Sequence, residues 1–144
     1  MAKLERTLFP EINIGIAMDA GEGLFVPVLK NAEKHDQASF RQELNRFKAE
    51  VQARSISPKD LGGSTIQLSN FGTFAGRYAN PIVVPPNVAI IGTGKFRDEV
   101  VAVNNAIAIH RVMPLSITVD HRAITGGEAA RFLKAMIDDL QKSQ

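Results

Sequence analysis

Two stretches of this chain carry an apolar stripe at helical spacing, and nearly everything else is short β-rich runs broken by glycine and proline. In residues 38–55, Phe40, Leu44, Phe47 and Val51 line one helix face, with Arg41, Glu43, Arg46 and Lys48 on the wet side. In residues 126–143, Phe132, Leu133, Met136, Ile137 and Leu140 form a second stripe. The β-rich runs are 12–18, 24–29, 64–69, 87–94, 99–111 and 114–119, and Pro27 within the second of these predicts an edge or a bulge. Residues 99–111 read as a hairpin whose turn is Asn104-Asn105, the residue type that tolerates positive φ. Many strands with two irregularly spaced helices predict a mixed α+β domain and not a repeating β–α–β alternation.

Length and composition narrow the class. The chain has 144 residues, enough for one domain with a real core, and 44% hydrophobic with 22% charged residues is a globular balance. Its 17 basic and 15 acidic residues give a formal charge of +2 without a basic stripe, which argues against nucleic acid. It has no cysteine, so disulfides, a thiol nucleophile and thiolate metal sites are excluded, and a reducing compartment is compatible. No apolar run is long enough for a membrane span, and the opening MAKLERTLFP lacks a signal-peptide apolar region, so a cytoplasmic protein is expected.

The chemistry concentrates in ITVDHRAITGGEAARFL, residues 117–133. A strand delivers His121 to its end, where the backbone is fixed, and an imidazole with an ordinary pKa of ~6.5 suits proton removal at neutral pH. Asp120 and Arg122 are expected to organise the turn as an ion pair. Thr125 and Glu128 have capping-box spacing, so the Thr125 hydroxyl is expected to cap the last helix. On spacing alone a lone strand-end histidine such as His121 is usually a structural residue. His35 and His110 stand at no ligand spacing to it, so no metal site is expected. Ser69 lacks a nucleophile elbow and reads by itself as an ordinary strand-end hydroxyl. Residues 70–86, with three aromatics between glycines and prolines, form a connection apolar enough to be packed against something.

DHRAITGGEAARFL, taken with GLFVPVL, GGSTIQLSNFGTFAG and NPIVVPPNVAIIGTGK, resembles the catalytic domain of the dihydrolipoyl acyltransferases, the core components of 2-oxo acid dehydrogenase complexes. The resemblance runs from about residue 9 to the C-terminus. It implies a chloramphenicol-acetyltransferase-like fold, a mixed sheet flanked by helices, in a homotrimer with active sites between subunits that builds a larger core. It implies transfer of an acyl group between a dihydrolipoyl thiol and coenzyme A, with the lipoate covalently held on another domain. The dehydrogenase and dihydrolipoyl dehydrogenase components would be its partners. By the same resemblance His121 is the general base and Ser69 the hydroxyl that steadies the oxyanion. Asn70 and Gly72 lie near the thiol channel, and the apolar loop 70–86 is covered by a neighbouring subunit.

Two departures from the family pattern stand out. His-x-x-x-Asp-Gly is usual, and position 125 here is threonine, which can cap a helix but cannot place a negative charge beside an imidazolium; as the third catalytic candidate, Thr125 is expected to orient the His121 ring through its hydroxyl. The family's catalytic domain also starts well before residue 1, so residues 1–144 correspond to its C-terminal part, without the lipoyl and partner-binding domains. Two other functions compete: an oligomeric scaffold without turnover, and a free-standing acetyltransferase of a small molecule on the same fold.

Overall fold

The computed structural model describes Glu5 and residues 7–142. The expected end of the second helix at Ser143 and half of the MAKLERTLFP opening lie outside the described residues. In chain order the elements are β1 (Ile14–Asp19), β2 (Leu24–Phe25), β3 (Val28–Leu29), α1 (Gln37–Gln52), β4 (Ile66–Asn70), β5 (Ala89–Thr93), β6 (Arg97–Val103), β7 (Ala106–Val112), β8 (Leu115–Val119) and α2 (Gly126–Leu140).

Six strands form one mixed sheet in the order β2–β1–β4–β5–β8, with β3 also on β1, and β6 and β7 pair separately as a hairpin. β1, β4 and β5 run parallel, while β8 returns antiparallel to β5. Parallel neighbours need a crossover. From β1 to β4 it contains α1, so one β–α–β passage exists where the sequence pattern predicted no such alternation. From β4 to β5 the chain returns without a long helix, which is why no alternation repeats.

Local chemistry sets the element ends. Pro27 interrupts the expected second strand between β2 and β3, and its carbonyl accepts from the Ile16 N–H at 2.8 Å; the proline lies at the sheet edge, one of the two expectations, but the register is continuous across it, Met18 with Phe25 and Gly15 with Val28, so no bulge forms. Asp36 caps α1, its carboxylate accepting from the Ser39 N–H at 2.8 Å. α1 stops where Arg54 turns left-handed at φ 53° and the Ser55 N–H returns to the Glu50 carbonyl at 2.8 Å. Asn104 and Asn105, at φ 51° and 62°, make the hairpin turn.

The core lies under α1. Ile16, Leu29 and Phe47 pack together with Ile14, Met18, Phe40 and Leu44 around them, and Phe47 is 1% exposed. Removing such a ring costs about 3–5 kcal/mol. Arg46 sits at the edge of this helix, bonded to Glu43, Glu50 and Asp60, which keeps its guanidinium charged. The second helix differs from expectation. α2 has no buried residue, and Phe132 and Leu140 remain 43% and 61% exposed, although the helix packs on β8.

Strand register assigns the two sheet faces. Ile14 pairs with Ile66, Ile16 with Leu68, Leu68 with Ile91, and Ile91 with Ile117, so these share the face that carries both helices. The alternate positions, Ala17, Ser69, Gly92 and Ser116, form a row on the other face.

Candidate active site

His121 is exposed in the turn between β8 and α2. The turn is held from both sides. The Asp120 N–H donates to the Val88 carbonyl at 2.8 Å, and the Asp120 carbonyl accepts from the Ala123 and Ile124 N–H groups, each at 2.9 Å. The Asp120 carboxylate accepts from the Arg122 N–H at 3.0 Å and from the Arg122 guanidinium, Nε at 3.0 Å and Nη2 at 2.6 Å. The expected ion pair is therefore present, and the Arg122 hydrogen bonds hold the Asp120 carboxyl down at about 2. His121 stands between these two residues with its own backbone fixed, and among the described residues its imidazole has no hydrogen-bond partner.

Thr125 is the N-cap of α2 in a complete capping box. Its Oγ1 accepts from the Glu128 N–H at 3.3 Å, and the Glu128 carboxylate accepts from the Thr125 N–H at 2.7 Å and hydroxyl at 2.9 Å. The hydroxyl proton is thus engaged with Glu128 and not with the imidazole four residues earlier.

Ser69 ends up elsewhere on the sheet. It is half-buried in β4, in register with Ala17 on one side and Gly92 on the other, and Gly92 pairs with Ser116. That end of β4 borders a largely apolar cleft of about 620 Å³, whose lining includes Ser69, Asn70, Phe71, Phe74, Leu44 and Lys48. Asn70 is the last residue of β4, and its carbonyl accepts from the Thr73 hydroxyl at 2.9 Å. Gly72 packs away from the cleft: a Cβ there would lie 2.3 Å from the Gly94 carbonyl carbon, so its role is to let the loop touch β5's exit. The Phe71 ring lies against Gly92, where a Cβ would meet it at 3.0 Å. The rest of loop 70–86 is open, with Phe74, Tyr78 and Ile82 at 72%, 68% and 82% exposure. Arg77 ties this loop to the hairpin through Glu99, which also bonds Arg97.

The structure brings His121 and Thr125 to one end of the sheet, and Ser69, Asn70 and Gly72 to the other. β8 reaches Val119 opposite Ala89, three residues before Gly92, so even Val119 lies ~10 Å along the sheet from the Ser69 row and two strands across. The sequence analysis did not single out Ser116, which joins the Ser69 row through Gly92; strand pairing, which local sequence does not show, puts it there. Among the described residues no group of three His, Asp or Glu side chains is placed to hold a metal ion, and no helix is long and apolar enough to cross a membrane.

The mixed sheet with two helices is the architecture of the acyltransferase catalytic cores on which this chain superposes. Residues 2–144 match the family described as 2-oxoacid dehydrogenases acyltransferase (catalytic domain), and the chain belongs to that family. A succinyltransferase component of the 2-oxoglutarate dehydrogenase complex of Azotobacter vinelandii is 38% identical over 90% of this chain and 32% of its own length. The chain spans about a third of the length of the curated relatives it matches. A solved dihydrolipoamide acetyltransferase of Azotobacter vinelandii superposes with a TM-score of 0.87 at 31% identity, over 90% of this chain and 54% of that one. That enzyme was investigated for the catalytic roles of a serine, a histidine 52 residues later and an asparagine four residues beyond. The same spacings separate Ser69 from His121 and His121 from Thr125. The cubic core of a pyruvate dehydrogenase multienzyme complex superposes with a TM-score of 0.84 at 31% identity, over 88% of this chain and 52% of that one.

Proposed function

We propose that residues 1–144 are the C-terminal part of a single acyltransferase catalytic domain that moves an acyl group between a dihydrolipoyl thiol and coenzyme A. The supporting observation is the presentation of His121 to solvent on a turn fixed by Asp120, with Ser69 at the far end of the same sheet. His121 is the general base. Its imidazole takes the proton of the coenzyme A thiol, the thiolate attacks the carbonyl of the acyl-lipoyl thioester, and the tetrahedral oxyanion accepts a hydrogen bond from the Ser69 hydroxyl. Collapse expels the dihydrolipoyl thiolate, which takes the proton back from the imidazolium. No acyl-enzyme forms, in keeping with a chain that has no cysteine.

The separation of the two residues within one chain means that one thioester cannot meet both in a monomer. His121 of one copy and Ser69 of another would form each site, which is the arrangement a cyclic homotrimer supplies. Asn70 stands beside Ser69 on the substrate side, and Gly72 serves the channel only by letting its loop approach β5. Thr125 acts through the helix cap. Lipoate would arrive on a domain outside these residues, and the dehydrogenase and dihydrolipoyl dehydrogenase components would be partners of a larger core in the cytoplasm. The test is His121→Ala in an assembled core carrying this sequence, with acyl transfer from acyl-dihydrolipoamide to coenzyme A as the readout. A loss of about 10²–10⁴ in kcat is expected, and activity within twofold of the parent rejects the assignment.

A further inference from the structure

Phe71 follows Ser69 by two residues, just past the end of β4, and its ring sits in a slot made by two glycines. A Cβ on Gly92 would meet one edge of the ring, Cε1 at 3.0 Å, and a Cβ on Gly76 would meet the other, Cδ2 at 3.3 Å. A side chain at either position would press on the ring, so the slot exists only because both lack one. The backbone around it is tied down. The Phe71 carbonyl accepts from the Phe74 and Ala75 N–H groups at 3.2 and 3.3 Å, and the Gly76 carbonyl accepts from the Lys95 N–H at 3.0 Å.

This slot adjoins the proposed oxyanion donor. Gly92 is the register partner of Ser69, so the ring edge over Gly92 lies on the face from which the Ser69 side chain projects. With strands ~4.8 Å apart, Cε1 lies within about 8 Å of the Ser69 Cβ. Ser69 and Phe71 also line the same 620 Å³ cavity. An aromatic ring offers water neither a strong donor nor a strong acceptor. Water competes with a thiol for a thioester carbonyl: its oxygen attacks, His121 takes a proton, and the dihydrolipoyl thiolate leaves and recovers that proton. The products are then a free carboxylic acid and dihydrolipoamide, and the acyl group is lost.

We infer that Phe71 is a positioning residue of acyl transfer: its ring, fixed between Gly92 and Gly76, keeps water from the thioester carbonyl that the Ser69 hydroxyl holds. The coenzyme A thiol is then the nucleophile that reaches the carbonyl. This rests on the acyltransferase reading of Ser69 and His121.

The experiment measures acyl transfer to coenzyme A and release of free acid from acyl-dihydrolipoamide, in assembled cores carrying this sequence. In Phe71→Ala the ratio of hydrolysis to transfer should rise at least about tenfold. Phe71→Leu, which keeps an apolar side chain of similar reach, should stay within about threefold of the parent. Adding His121→Ala to Phe71→Ala should return hydrolysis to the parental level. Phe71→Val, too short to span the two glycines, gives the same readout if Phe71→Ala does not assemble. A ring that only supports the fold would lower transfer and hydrolysis together. An unmoved ratio beside normal parental transfer therefore overturns this inference alone, as does raised hydrolysis that persists without His121. A parent core that transfers no acyl group overturns the acyltransferase reading and this inference with it.

Discussion

Ser69 in β4 and His121 in the turn after β8 lie at opposite ends of the sheet with β5 between their strands: Ser69 registers with Gly92, Gly92 with Ser116, and β8 runs three residues further, to Val119, before the turn that carries His121. Three residues of strand from Ser116 to Val119 already amount to ~10 Å along the sheet, two strands across from Ser69, far beyond any hydrogen bond. A site using both must draw them from two copies of the chain.

That geometry makes a mixing experiment decisive. Ser69→Ala should lower kcat by about 10²–10³, as loss of one oxyanion donor does, and His121→Ala should be at least as severe. Cores reassembled from an equal mixture of the two variants should recover about a quarter of parental activity, because a quarter of the intersubunit sites then hold both native residues. Recovery no greater than that of the single variants would place both residues of each site on one chain.

The turn that presents His121 should show its ion pair in solution. Asp120 is held at about 2 by Arg122, below the ~3.9 of an unfolded aspartate. A depressed carboxyl adds stability above the unfolded value and loses it as pH falls through the folded one, so this contribution is complete above about pH 4 and gone near pH 2. Carboxyl NMR titration should give about 2 in the parent and a return toward ~3.9 in Arg122→Ala. An Asp120 titrating near 4 in the parent would show that the pair does not form.

Thr125 should matter to stability more than to proton transfer. Thr125→Ala removes the cap of α2 and should cost about 0.5–2 kcal/mol by denaturant unfolding. Thr125→Asn keeps a cap and supplies the residue found at the matching spacing in the solved acetyltransferase, so stability should stay within a few tenths of a kcal/mol. If Thr125→Ala unfolds like the parent, the capping box carries no weight.

Gly72→Ala tests the loop seat. Its Cβ would fall 2.3 Å from the Gly94 carbonyl carbon and 2.4 Å from the Lys95 nitrogen, and a backbone peptide cannot rotate away as a side chain can. Destabilisation of about 1–3 kcal/mol is expected from thermal or denaturant unfolding. The parental midpoint in the variant would show that the loop does not pack on β5's exit.

Much of the fold was readable before any coordinates because it is written in local chemistry. Phe40, Leu44, Phe47 and Val51 recur at helix period, Asn104-Asn105 tolerate positive φ, Pro27 has no N–H to give a ladder, and Thr125 and Glu128 have cap spacing; each effect acts within a few residues. Even so, the Asp36 cap was overlooked beside a stronger apolar signal, and the parallel pairing of β1 with β4 was not foreseen. Strand direction depends on which distant runs become neighbours, and periodicity is silent on that.

The candidate site divides in the same way. Residue identities and spacings singled out Ser69, His121 and Thr125 from order along the chain, and capping chemistry made Thr125 a helix start. Only the folded sheet decided that Ser69 and His121 lie at its opposite ends, that Gly72 is a packing contact, and that α2 lies over β8 with its apolar stripe uncovered. Those outcomes are set by strand order and register, which couple residues tens of positions apart through backbone hydrogen bonds and shared apolar burial, and neither interaction leaves a mark in the local run of side chains.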